Sequence, residues 1–475
     1  MTTEPIEPAT AGPETESFWT SVRKAVAGSQ QDFTEGPLGR AVILLAVPMV
    51  LEMVMESVFA ICDVFFVSRL GANAVATVGL TESLLTLVFS LAIGLGMGTT
   101  AVVARRIGEK RPEEAAVAAA QAVMAALIAS LVLGIAGVLT GPTAIRLVGA
   151  SDEVLAIGAG YSRVLLGGSG TVVFLFVINA IFRGAGDAAI AMRVLWLANL
   201  INLVLDPCLI FGLGPFPELG VAGAAVATTI GRGIGVAYQI WVLVTGRSRI
   251  VVPWSQMRLR AGVMLKLLRV STGGIIQVLI ATCSWVALVR IIAIFGSTAV
   301  AGYTIAIRVV VFSILPAWGV ANAAATLVGQ NLGAGKPDRA EKSAWLAGGY
   351  NMVFLGSLAA VFLMFGQSII GIFTQDPEVL AVGVECLRII SYGYLFYALG
   401  MVLVQSFNGA GDTMTPSIIN FFCYWLIQIP LAFLLAQVAG LGPRGVFWAI
   451  AIAESMITIV GATVFKMGHW KNRQV

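Results

Sequence analysis

The stretch Phe182-Arg-Gly-Ala-Gly-Asp187 returns 225 residues later as Phe407-Asn-Gly-Ala-Gly-Asp412. At the same displacement Gly71 falls on Gly296, Gly94 on Gly319, Gly108 on Gly333 and Pro112 on Pro337. Farther on, Gly220-x-x-Gly223 meets Gly442-x-x-Gly445 after a slip of three residues. Chance gives one such match, not a series at near-constant offset. The chain is an internal duplication, and that decides the architecture before any local assignment.

The duplicated unit belongs in a bilayer. Of 475 residues 58% are hydrophobic and only 11% charged, with a mean hydropathy of +0.92. A soluble domain carries about a quarter charged residues, so this chain lacks the polar surface to cover a water-soluble globule. Apolar runs long enough to cross hydrocarbon are predicted at 42–67, 77–103, 115–139, 155–182, 189–213 and 220–245. The second copy places them at 264–294, 300–328, 341–373, 379–407, 415–440 and 443–466. The runs are continuous and lack the alternation of barrel strands, so they are helices. The expected fold is an all-α integral membrane protein of twelve transmembrane helices in two six-helix bundles. An even helix count per copy makes both enter the membrane in one direction, related by a pseudo-two-fold axis along the membrane normal.

Domain limits follow: a leader at 1–38, a first bundle at 39–246, a linker at 247–263, a second bundle at 264–466 and a tail at 467–475. The leader carries six acids with Pro5, Pro8 and Pro13, and lacks the apolar core of a signal peptide. It reads as disordered. Basic residues concentrate in alternate loops: Arg105, Arg106, Lys110 and Arg111 after the second span, and Arg247, Arg249, Arg258 and Arg260 after the sixth. Lys336, Arg339 and Lys342 follow the eighth, and Lys466, Lys471 and Arg473 the last, whereas the opposite loops hold only Arg69, Arg146 and Arg444. By the positive-inside rule both termini are cytoplasmic, in a bacterial inner membrane.

Several chemistries are excluded. The five cysteines are scattered without a C-x-x-C pair, and the single histidine, His469, lies in the tail, so neither a disulfide framework nor a zinc site is expected. Gly333-Ala-Gly-Lys336-Pro337 glances at a phosphate loop, but Gln330 and Pro337 stand where the motif needs glycine and Ser or Thr. The basic residues form no single patch for nucleic acid. No catalytic constellation, cofactor motif or filter-like loop is present, so neither an enzyme nor a channel is expected. Gly94-x-Gly-x-Gly98 and Gly231-x-x-x-Gly235 read as close helix packing.

Ionisable groups at bilayer depth are functional candidates by default. The first span carries Glu52, Glu56 and Asp63 on one face. The fifth carries Asn199, Asn202 and Asp206, again one face, with Pro207 freeing a carbonyl one turn back. Such oxygens can share a proton or hold a small hard cation such as Na⁺. The repeat sharpens this. Glu52, Glu56 and Asp63 map to Gln277, Ala281 and Leu288, and no acid stands opposite Asp206. A purely structural acid would recur in both copies or neither, so ion coupling is expected in the first lobe. The competing reading pairs these acids with Arg163 or Arg232 as structural bridges. Glu82 and Glu454 read as isolated.

These residues resemble the multidrug and toxic compound extrusion (MATE) family over everything after residue 38. The carriers are Pro48 followed by Asp63 and Phe-Val-Ser-Arg-Leu-Gly71, the two Gly-Ala-Gly-Asp segments, Asn202-Leu-Val-Leu-Asp206-Pro and Gly-x-x-Gly-Ala-Ala-Val-Ala-Thr228. The resemblance implies efflux of cationic, amphiphilic drugs or metabolites by antiport with H⁺ or Na⁺. In archaeal and DinF-like members the coupling site falls on positions that here read Asp63, Asn179, Asn202, Asp206 and Thr228, with Thr229 adjoining. The NorM-like branch places a Glu on helix 7 and an Asp on helix 10. This chain has Gln277 and only Glu385 there, which puts a second-lobe Na⁺ site in doubt. A flippase for lipid-linked cargo of the same superfamily is the alternative, disfavoured by twelve helices and an acidic first lobe. A monomer is expected, with an organic cation as substrate and no cofactor.

Overall fold

A computed structural model describes residues 18–28 and 31–473. Twelve spans follow in order. The first bundle holds α1 (Leu38–Ser68), α2 (Ala72–Gly108), α3 (Pro112–Leu147), α4 (Asp152–Ala185), α5 (Ala188–Phe211) and α6 (Val221–Thr245). The second holds α7 (Ala261–Ala293), α8 (Ser297–Gly333), α9 (Pro337–Gly371), α10 (Pro377–Tyr392 with Tyr394–Gly409), α11 (Met414–Val438) and α12 (Pro443–Lys466). The predicted spans hold with two refinements. Helix α4 is interrupted between Gly167 and Gly170, and α10 bends by 58° at Gly393. Gly168 and Gly393 are 225 residues apart, so the breaks are themselves duplicated. Helix α11 departs from its partner α5: it winds as a π-helix over Phe421–Gln428 and again over Leu434–Val438.

The Gly-Ala-Gly-Asp segments are stop-and-restart signals. Gly186 and Gly411 adopt φ of 90° and 84°, which favours glycine. The following amides close the turn, Asp187 N–H donating to the Phe182 carbonyl (2.8 Å) and Asp412 N–H to that of Phe407 (3.0 Å). Proline at the first helical positions starts α3, α9, α10 and α12, where no amide donor is needed.

The pseudo-two-fold is written into the seam between the lobes. A Cβ at Gly94 would lie 2.5 Å from the Ile275 nitrogen, and one at Gly319 would lie 2.6 Å from the Val50 nitrogen. Gly108 likewise abuts the Gln330 carbonyl, and Gly333 that of Arg105. Each contact is the image of its partner under the 225-residue shift. All of these glycines lie in the later halves of α2 and α8, which run toward the face carrying both termini. The lobes are therefore sealed on the terminal face.

That face is fastened by chain ends, which corrects one expectation. The leader is not disordered throughout: Phe18–Ala27 is helical, and Arg193 of α5 donates to its Val26 carbonyl (3.0 Å). Residues 1–17 and 29–30 lie outside the described residues. The leader then crosses the seam. The Gln31 carbonyl accepts from Arg249, Thr34 from Lys336 (3.0 Å) and Glu35 from Arg339 (2.9 Å), so first- and second-lobe cations hold one strand. Phe33 is buried beneath the Arg249 guanidinium, 5.3 Å from its ring centre.

Each bundle also ends by returning an arginine to its own Gly-Ala-Gly-Asp turn. The Arg249 amide donates to Asp187 (2.7 Å), with the guanidinium at 3.6 Å. Arg473 reaches Asp412 at 3.2 Å. Burial holds the Asp187 carboxyl above the usual carboxylate range, against the opposing pull of the Arg249 amide and charge. The tail is folded as well: Trp470 is buried and stacks on Phe465 at 4.4 Å.

Candidate functional site

Two separate polar networks sit inside the first lobe. In one, Asn202 of α5 donates from Nδ2 both to Asp206 Oδ1 and to Thr228 Oγ1 of α6, each at 3.1 Å. The i, i+4 spacing on one helix puts the amide over the carboxylate, and α6 brings the threonine because Gly231 lets it approach the Ala198 carbonyl of α5 closely. Asp63 of α1 is buried and faces this cluster within electrostatic reach of Asp206, with Arg232 of α6 as the cation acting on it. Arg232 itself lies 5.3 Å from the Phe59 ring centre. Asn202 Oδ1 and Asp206 Oδ2 are buried with no hydrogen-bond partner. A desolvated oxygen pair left unsatisfied is unfavourable by about 1–3 kcal/mol per group. A proton or a small cation satisfies both.

In the other network Glu52 of α1 accepts from Asn179 of α4 (3.0 Å) and from Arg183 (2.9 Å), one turn further along the same helix. Gln239 of α6 donates to Asn179 Oδ1 at 2.7 Å. Asn179, which the resemblance groups with Asp63 and Asp206, thus bonds to Glu52 instead. Thr228 rather than Thr229 meets Asn202, since the Thr229 hydroxyl donates to its own helix at Ala225 (2.8 Å). Glu56 is half-buried, and no ion pair joins it among the described residues; neither Arg163 nor Arg232 bridges it. Asn199 donates to the Met55 carbonyl at 3.4 Å, tying α5 to α1.

Two participants escaped sequence reasoning. Arg183 sits in the Phe-Arg-Gly-Ala-Gly-Asp motif, where it reads as a turn residue, and Gln239 lies outside any motif. The available signal was the repeat, which sets Asn408 opposite Arg183 and so makes the charge specific to the first lobe. In the second lobe, Glu454 of α12 is not isolated: Tyr424 of α11 donates to its Oε1 at 3.0 Å. Among the described residues no cluster of His, Cys, Asp and Glu could hold a resident metal.

The MatE family model matches residues 48–208 and 274–434, once per bundle. The probable multidrug resistance protein NorM of Thermotoga maritima is 28% identical over 446 residues, covering 92% of this chain and 94% of that protein. An FAD transporter of Shewanella oneidensis is 26% identical over 424 residues, covering 89% and 93%. Among solved structures, a MATE protein in the straight conformation superposes with a TM-score of 0.86 at 27% identity, covering 92% of this chain and 97% of that one. A transporter of the MOP superfamily from Pyrococcus furiosus gives 0.86 at 28%, covering 92% and 96%.

Proposed function

The chain belongs to the MatE family, a multi-pass membrane transporter and not an enzyme, and on that premise we propose that it exports organic cations by antiport with H⁺ or Na⁺. The membrane is the bacterial plasma membrane, and the terminal face is cytoplasmic, which agrees with the basic residues gathered there. With the lobes sealed on that face, the arrangement described is closed toward the cytoplasm.

The observation that carries the coupling is the orphaned oxygen pair, Asn202 Oδ1 and Asp206 Oδ2, beside Asp63. The Asp206 carboxyl, the Asn202 amide and the Thr228 hydroxyl meet at one buried point, with Asp63 within electrostatic reach, and two of the oxygens there have no hydrogen-bond partner. When the coupling cation occupies it, α1 and α5 are drawn together through Asp63 and Asp206. When it leaves, the two carboxylates repel and the helices separate. Drug affinity changes with that repacking, because a ligand shifts an equilibrium only through differential binding. Relatives carrying multidrug names support drug efflux. One relative is an FAD transporter, and FAD is an anion. The acids facing this chain's interior favour cations instead.

The test is ethidium efflux from drug-sensitive cells expressing wild type, D63N or D206N at matched membrane levels. Wild type should export and both variants should fail, with ionophores then separating H⁺ from Na⁺. Variants that export like wild type would remove the acids from the coupling site. A wild type that moves no organic cation would overturn the substrate class and favour a flippase.

A further inference from the structure

The second lobe contains a cavity of about 190 Å³ where the first lobe contains a filled network. The repeat explains why. Glu52 corresponds to Gln277 and Asn179 to Val404, and Gln239, after the three-residue slip, corresponds to Gly461. Gln277 and Val404 line the cavity, and nothing approaches within 4 Å of a Cβ placed on Gly461. Gln277 lacks the charge of Glu52, Val404 lacks the amide of Asn179, and Gly461 has no side chain where Gln239 reaches inward, so the first-lobe network is not repeated and volume is left open.

The same register reverses a charge. With the three-residue slip, Arg232 of α6 falls on Glu454 of α12. Glu454 lines the cavity together with Tyr397, Tyr424, Trp318 and Met401. Among the described residues its carboxylate has no ion-pair partner, and the one hydrogen bond to that carboxylate comes from Tyr424. Tyr424 lies within the π-helical stretch of α11, a rare geometry that recurs at functional sites. Three aromatic side chains and one carboxylate around an open volume match the needs of a large, weakly hydrated cation. Aromatic faces attract it through their quadrupoles, and the carboxylate supplies the opposite charge. A cavity of about 150 Å³ holds a benzene molecule, so this one takes a quaternary ammonium group or one ring of an aromatic cation.

We propose that Glu454, caged by Tyr397, Tyr424 and Trp318, is the substrate-cation subsite of this transporter, placed in the second lobe and apart from the coupling oxygens of the first. The proposal rests on the organic-cation reading above. The subsite opens toward the seam: Met97, Trp318 and Gln405 line both this cavity and a smaller one between the lobes, where Arg183 sits. A cation therefore has its counter-charge on the far side of the seam from Arg183.

Binding of ethidium and of tetraphenylphosphonium to the purified full chain in nanodiscs tests this. E454Q should weaken both at least tenfold, with Y397L weakening them less. V404W should also abolish binding, because it fills the cavity while keeping the Glu454 carboxylate, and it decides the matter if E454Q proves misfolded by size exclusion. Wild-type affinity in V404W, or in a well-folded E454Q, overturns the subsite while leaving cation export intact. If wild type binds neither probe, the organic-cation reading fails, and the subsite falls with it.

Discussion

Replacing Arg183 with methionine isolates what Glu52 does. The change removes a guanidinium 2.9 Å from the carboxylate and leaves Asn179, at 3.0 Å, as its single donor. Both side chains are removed from water, Glu52 at 2% exposure and Arg183 at 12%. Stripping one partner from such a pair strands a charge and is unfavourable by about 3–5 kcal/mol. E52Q should be milder, because Arg183 lines the cavity between the lobes and can be hydrated there. The double variant E52Q/R183M carries no stranded charge, so it should recover most of the loss. The coupling energy should then reach about 2–3 kcal/mol, the upper part of the range for interacting neighbours. Equilibrium unfolding in mixed micelles of rising SDS fraction measures all four corners of this cycle. If the single losses simply add, with a coupling below about 0.5 kcal/mol, the pair is not the fastening described here. Ethidium efflux by the double variant then assigns the role: retained efflux makes Glu52 a structural acid, and lost efflux places it in coupling.

Other outcomes follow from the seam and its fastenings. G108V should hold the terminal face open, because its side chain would overlap the Gln330 backbone, and G333V should do the same against Arg105; maleimide labelling of A104C, buried at the seam, should rise in both. Deleting residues 1–37, or combining R249A with R339A, should raise labelling of A104C several-fold, since the leader strand bonded to both lobes is lost. Unchanged labelling would show that helix contacts alone seal this face. The Lys471 ammonium is raised above the ordinary lysine value chiefly by its hydrogen bond to Glu341. Its contribution to tail docking is thus complete below that ordinary value and fades as pH climbs through the raised one. Protection of the tail from carboxypeptidase should accordingly stay flat up to about pH 10.

The repeat made the architecture legible because glycines at a close crossing cannot be exchanged without moving backbone, so both copies keep them. Gly94 and Gly319 carry that signal in sequence and the reciprocal contact in space. The proposed coupling residues on α5 were equally legible, since i, i+4 spacing alone aims Asn202 and Asp206 at one point. What sequence could not supply was the rotation of α4 against α1. That rotation gives Asn179 to Glu52, and Arg183 with it, rather than to Asp206. The helix breaks at Gly168 and Gly393 were visible as aligned glycines, but an apolar run continues through each, and hydropathy reads them as straight spans. The leader escaped because its bonds are made by backbone carbonyls, which carry no residue-type signal.

The comparison of lobes also constrains how two cations can be exchanged. In the first lobe Arg183 pairs with the buried Glu52, and Arg232 is the cation within electrostatic reach of Asp63. In the second lobe, the position equivalent to Arg232 is Glu454, and among the described residues no cation pairs with it. The proposed coupling oxygens and the proposed substrate carboxylate therefore stand in different lobes, on α5 and α12. Any exchange between them has to pass through the seam that both lobes share, where Met97, Trp318 and Gln405 line the two central cavities. Coupling is then a free energy between two sites, and it is reciprocal: a coupling ion that lowers drug affinity must itself be bound less tightly when drug is present. Direct competition for one carboxylate would instead let saturating drug exclude the ion altogether. Measuring drug affinity across a range of coupling-ion concentration separates the two, since linkage between distinct sites reaches a plateau and simple competition does not.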